Sequence, residues 1–492
     1  MTKEAEPAGD TIAERIAGLI CAFTKEQVGR NALRQARAAI CDTIGVTLAG
    51  SAEDCVRILL ETPGIAEAPG SSLIVGTSRR TSALDATLVN GTASHALDYD
   101  DFCAVLGGHQ SVPLVPALLA IAEERKLAGL KLMLAYVVGV ETENRLARAV
   151  NFYHYDKGWH PTATLGVFGA TAAIGHLIGL DQAKMATALG LAASLAAGLK
   201  ANFGTMTKPL HIGQCGRHGL LAVLLAERGF SANPGALEHH QGFLNVFNGA
   251  GHFDVEKIFA DWGGPLEIED AAIALKQFPC CGSTHPAIAM ALALRNEEAV
   301  LAEDVAAVEI LPNGRRLRHT DTPRPQSPLQ AKFSVQYAVA RALVDGTVRL
   351  KDFEGAAYAE PEISRLLSAT RARPHPEMPE DGPSQWGAEV IVTMKDGRRL
   401  SRRVENLVGR GGDNPMTEGE MWEKFEDCAR RVLSREQIAP LFERLETLET
   451  ASDVSMIAHM MEVRQDARSK TAAPIRFASS SEQEAPETTW VP

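Results

Sequence analysis

Positive charge is scarce in this 492-residue chain, where 49 Lys and Arg face 61 Asp and Glu for a formal net charge of −12. A phosphate backbone rewards clustered Lys and Arg, and no basic tract interleaved with aromatics occurs, which argues against a nucleic-acid partner. A small anionic substrate is still compatible, because local charge in a cleft decides that question. The eight cysteines are scattered, with only Cys280 and Cys281 adjacent, so neither a disulfide framework nor a zinc spacing is present and a reducing cytoplasm is the expected location. The N-terminal "MTKEAEPAGDTIAERIAGLICAF" is too acidic and polar for a secretory signal. The longest apolar stretch, "TLGVFGATAAIGHLIGL", contains His176 and falls short of a membrane span, so it reads as a core helix with no membrane partner. The GxxxxGK[ST] phosphate loop, a strand-coupled GxGxxG and the GxSxG elbow are all missing.

What is present is a soluble composition, 45% hydrophobic and 22% charged, with 42 glycines that suit closely packed helices. Segments such as "NALRQARAAICDTIGVTLAG", "TSALDATLVNGTASHAL" and "KLMLAYVVGVETENRLARAV" carry apolar residues three and four positions apart, predicting an all-helical domain over residues 1–269. From there the texture changes. "VAAVEILPNG" reads as a strand, and "AEVIVTMKDGRRLSRRV" as a β-hairpin, so a smaller α+β domain is expected at 270–405. Helices return at 406–470 and should pack on the first domain. The Ser-, Glu- and Pro-rich tail, 471–492, has the composition of a disordered segment.

Four basic side chains recur near helix entrances. Lys208 and His160 directly precede Pro209 and Pro161, His285 precedes Pro286, and His109 lies four residues before Pro113. Proline suits a first helical turn, whose unpaired N–H groups and positive dipole end favour an anion. A solvated lysine or a capping histidine would produce the same local pattern. Asp98, Asp100 and Asp101 supply carboxylates that could orient histidines, whereas the spacings needed for a metal site are lacking. "CCGSTH" on its own does not establish a Cys/His nucleophile.

Taken in order, "NGTASHALDYDD", "GGHQSVPLVPALLA", "GWHPTATLGVFGA", "GLKANFGTMTKPLHIG", "QGFLNVF", "FPCCGSTHPAI" and "AKFSVQYAVARALVDG" resemble the MmgE/PrpD family. The resemblance runs from about residue 10 to 465. It implies a mainly α fold, with a large helical domain and a smaller α+β lid domain, a homodimer, and catalysis without a metal or organic cofactor. It carries Asp98, His109, His160 and Lys208 over as catalytic residues and Lys276 and Tyr337 as substrate-binding ones, with His285 added to the latter group. His160 is then a general acid or base, His109 a proton donor or second base oriented by Asp98, and Lys208 the cation facing a substrate carboxylate. The implied activity is a lyase step, dehydration or decarboxylation, on a small di- or tricarboxylate. An epimerase of an amino- or imino-dicarboxylate, or a noncatalytic carboxylate-binding protein, would use the same charges. Phe102 replaces the threonine that family dehydratases and decarboxylases carry four residues after the first aspartate, and the spacing to His109 is one residue longer than in the decarboxylases.

Overall fold

The computed structural model describes residues 10–269, 273–380, 382, 384–407 and 414–463. The tail expected at 471–492 and residues 270–272 at the domain boundary lie outside these.

Two large hydrophobic cores divide the described residues. The first runs from Ile12 to Leu275 and resumes from Met421 to Val463. The second lies between Phe278 and Met394. Helices make up nearly all of the first. They include Arg30–Gly50, Ala83–His95, Ser111–Glu124, Gly129–Val150, Gly166–Ile178 and Thr207–Glu227. The stretch Pro161–Ile178 is long and apolar enough to cross a bilayer by composition, yet 89% of it is buried inside the protein, where it serves as core. The helical part is not purely helical. Two short antiparallel pairs, Ser72–Leu73 with Arg80–Thr81 and Phe102–Cys103 with Ile273–Ala274, interrupt it. Strands of two residues carry too little periodicity to stand out in a sequence.

The second core packs helices His285–Glu297 and Val335–Asp345 on a four-stranded sheet. The expected hairpin is present, with Ala388–Met394 antiparallel to Arg399–Val404. Val305–Pro312 pairs antiparallel with Ala388–Met394 on its other side, and Thr370–Ala372 adds a parallel edge strand. The helix Val335–Asp345 starts where the Ser334 hydroxyl accepts from Tyr337 N–H and stops at Gly346, whose φ of +70° is easy for glycine.

One crossing positions the functional residues. Helices Ala83–His95 and Thr207–Glu227 meet at Gly91 and Gly213, so closely that a Cβ on Gly213 would lie 2.2 Å from the Leu88 carbonyl oxygen. The approach brings the end of the first helix, with His95, against the start of the second, with Lys208 and His211. Gly213→Ala must push backbone against backbone and is expected to lower stability by about 1–3 kcal/mol, the usual penalty for overpacking. Urea denaturation of the variant against wild type measures it.

Candidate active site

Helix Ala83–His95 ends in a tight reversal, and Asp98 within it adopts a φ of +54°, a left-handed conformation that aspartate tolerates better than most residues. The Asp98 carboxylate is thereby presented to two lysines. Lys208 Nζ donates to its Oδ1 at 2.9 Å, and Lys276 Nζ stands 3.3 Å from the same oxygen while donating to the Asp98 carbonyl at 2.6 Å. Burial alone would raise the Asp98 pKa, but the two ammonium groups hold it well below the usual carboxylate range. Its side chain keeps 28% of its surface open, against 5% for Lys276, so the cluster is accessible from the Asp98 side.

His109 Nε2 is 3.6 Å from Asp98 Oδ1, but Asp98 does not orient the ring as expected. That role falls to the fully buried Asp100, whose Oδ2 lies 2.9 Å from His109 Nδ1 and 2.8 Å from His95 Nδ1. The Asp101 carbonyl also lies 2.6 Å from His109 Nδ1. The reason is electrostatic: Asp98 is held by the lysines, leaving Asp100 to the imidazoles. Burial would raise the Asp100 pKa, and His109 and His95 together pull it well below normal. Burial drives His95 the other way, to about 4.

Asp101 plays a third part. Ser111 Oγ and Gln110 Nε2 donate to it, and burial pushes its pKa up to about 8. Three aspartates within four residues thus bind lysines, bind histidines and stay protonated near neutrality, respectively.

His160 is the N-cap of the Pro161–Thr164 turn, 2% exposed, with its ring stacked 6.0 Å from His95. Its Nδ1 lies 3.2 Å from His211 Nδ1. Burial first, then the neighbouring His95 and Lys208, hold its pKa well below normal. The four basic side chains do not share one helical position. Lys208 lies inside the helix Thr207–Glu227 rather than before it, and His109 precedes Ser111–Glu124 by two residues. His285 opens the helix His285–Glu297, its ring edge-to-face with Phe278 at a centroid separation of 5.3 Å. Burial, with Lys276 second, lowers it to about 3.

The fold therefore brings Asp98, His109, His160, Lys208 and Lys276 together. Tyr337 stands apart: its ring is fully buried in the second core, its hydroxyl donates to the Asp352 carbonyl and its oxygen accepts from Arg341 Nε. Phe102 packs at the junction of the two cores, 5.9 Å from the Trp386 ring.

His95, His211, Lys332 and Lys424 join the site without having stood out along the chain. Only His211 carried a usable signal, being three residues after Lys208 and so on the same helical face. Lys332 Nζ donates to the Leu97 carbonyl at 2.7 Å, close to Asp98 in the chain. Lys424 Nζ donates to the carbonyls of Tyr99 and Lys276 at 3.0 and 2.7 Å and pairs with buried Asp42 at 2.5 Å. No local pattern announces that contact. His95, Asp98, Asp100 and His109 lie near enough to share a metal ion. Their donor set argues for another role, because Lys208 and Lys276 already supply the positive charge at Asp98 and would repel a further cation.

The protonated Asp101 generates a pH prediction. The native group keeps its proton up to about pH 8, whereas the unfolded carboxyl ionises near the ordinary aspartate value of 3.8. The folded state binds more protons across that window, so this residue's contribution falls as pH rises through it. Asp101→Asn removes the titration, and its urea midpoint relative to wild type should improve steadily from pH 5 to pH 8.

Comparison with known proteins agrees with this architecture. Residues 14–256 match the MmgE/PrpD N-terminal domain and residues 278–447 the MmgE/PrpD C-terminal domain. The chain is 30% identical to cis-aconitate decarboxylase of Homo sapiens over 467 residues, covering 92% of this chain and 94% of that one. It is 28% identical to the enzyme of that name from Mus musculus, over 92% and 93% of the two chains. For cis-aconitate decarboxylase of Aspergillus terreus the identity is 26%, over 89% and 93%. The chain belongs to the MmgE/PrpD family.

Proposed function

We propose that this protein is a lyase acting on a small di- or tricarboxylate through a carbanion stabilised by an adjacent carboxylate. The carrying observation is the convergence of Lys208 and Lys276 on one carboxylate oxygen of Asp98, beside His109 and with His160 near. Two ammonium groups on one carboxylate leave surplus positive charge, and a substrate carboxylate entering beside Asp98 can share it. The relatives named for decarboxylation of cis-aconitate, a tricarboxylate, support the same substrate class.

The chemistry follows from placing cations where negative charge grows. In decarboxylation the C–C bond breaks, CO₂ leaves, and the electron pair stays on carbon, delocalised into the neighbouring carboxylate. Lys208 and Lys276 offset that charge, and a histidine then delivers a proton to carbon. In dehydration a histidine removes the proton next to a carboxylate, the same cations hold the resulting charge, and a second acid protonates the departing hydroxide. Dehydration needs one imidazole able to accept a proton and another able to give one, whereas decarboxylation needs only the donor. His109, bonded through Nδ1 to an anionic carboxylate, and His160, bonded to a neutral ring, differ in the required sense.

The reading also includes a homodimer of the 52.7 kDa chain. Leu199, Phe203 and Met206, exposed at 50%, 37% and 52% in the segment before Lys208, support a second copy covering that face. Sedimentation at twice the chain mass is the expected result.

Incubation with cis-aconitate and related di- and tricarboxylates in D₂O should release CO₂ or water, with one deuterium retained in a decarboxylated product. Lys208→Ala should reduce turnover about 10²- to 10³-fold, as loss of a preorganised charge donor commonly does, without altering the circular-dichroism spectrum. Deuterium exchange with neither CO₂ nor water released would instead identify an epimerase. Thermal stabilisation by a carboxylate with no product at all would identify a binding protein.

A further inference from the structure

His160 Nδ1 and His211 Nδ1 are 3.2 Å apart. Two N–H groups cannot face each other at that distance, so one ring donates, the other accepts, and a single proton lies between them. His95 and His109 are held differently, with Nδ1 of both on the carboxylate of Asp100. A carboxylate only accepts, which fixes the proton on Nδ1 of each of those rings. An imidazole can do either. The tautomer of His160 is consequently coupled to that of its neighbour.

The surroundings give that neighbour a distinct position. His160 is sealed, its backbone N–H on the Gly198 carbonyl at 3.1 Å and its ring perpendicular to that of Phe203 at a centroid separation of 4.9 Å. His211 is half-buried and lines a cavity of about 370 Å³ together with Asn202, Gln214 and His218. The groups bearing on the pair are His95 from its helix end, His109 from the loop before the next helix, and Lys208 from the helix that carries His211, with His218 beside His211 in the cavity wall. All are neutral or cationic, so a doubly protonated pair is disfavoured. Burial, followed by Lys208, also lowers the pKa of His211.

We propose that His211 is a positioning residue that fixes which ring nitrogen of His160 carries the proton, and thereby whether His160 meets the substrate as donor or acceptor. This rests on the reading of His160 as an acid–base residue. Lys208 and His211, one helical turn apart, would then serve the reaction together, one through charge and one through tautomer.

The test uses the full-length protein labelled with ¹⁵N-histidine, with nitrogen chemical shifts assigning the protonated nitrogen of His160. Wild type should show one tautomer, and His211→Phe a mixture or the opposite form. In turnover, His211→Phe should lower kcat about 10- to 100-fold, part of what acid–base catalysis contributes, with little change in KM, and should move one limb of the pH profile. His211→Asn keeps both a donor and an acceptor and should recover most of kcat. Unaltered His160 shifts in His211→Phe, or an asparagine variant no better than phenylalanine with an unmoved pH limb, would overturn the proposal. Should wild type turn over no carboxylate, the functional reading fails by itself, since the nitrogen shifts still decide the role of His211.

Discussion

The carboxylate of Asp98 is the charge around which the site is assembled. Lys208 comes from the large helical part and Lys276 from the segment leading into the smaller domain, and both ammonium groups bear on the same oxygen. Without that anion, two partly desolvated cations would repel one another across the junction of the two cores. The backbone around it is fastened independently. Lys424, paired with Asp42 inside the protein, donates to the carbonyls of Tyr99 and Lys276, the residue after Asp98 and one of its lysines. An unpaired buried charge costs roughly 3–5 kcal/mol, so the Asp42–Lys424 pair has strong reason to remain intact and to keep both strands of chain in place.

Electrostatic division of labour follows from that arrangement. The same short acidic segment provides an anion for ammonium groups, an anion for two imidazoles and a neutral acid inside a hydroxyl and amide network. Identical side chains acquire different charges because one remains partly open beside cations, one is sealed between histidines, and one is sealed without a cationic partner. The histidines separate similarly. Those on Asp100 have an anionic partner for Nδ1, whereas His160 has another imidazole.

Domain packing adds a constraint that linear segmentation does not convey. The match to the C-terminal domain extends to residue 447, yet Met421, Phe425, Leu441 and Leu445 belong to the core of the large helical part. Lys424 is on one of these returning helices, Glu418–Ala429. The last of the described helices thus close the first core and secure the entry into the second. Phe102 lies at the same junction, its short strand paired with Ile273–Ala274 and its ring near Trp386. A large ring at this point fills space between the two parts.

Much was legible along the chain. Apolar spacing of three and four announced the long helices, alternation around Lys395–Gly397 announced the hairpin, and ordered motifs pointed to Asp98, His109, His160, Lys208 and Lys276, which the fold brings together. These signals are local, or repeat locally, because helix and strand periodicities are properties of neighbouring residues. Which carboxylate would hold which cation, the separation of Tyr337 from the cluster, the pairing of His160 with His211 and the support from Lys424 were decided only in three dimensions. Those outcomes depend on distances and desolvation between residues far apart in the chain, 325 positions for Tyr99 and Lys424, and no spacing rule along a chain encodes them.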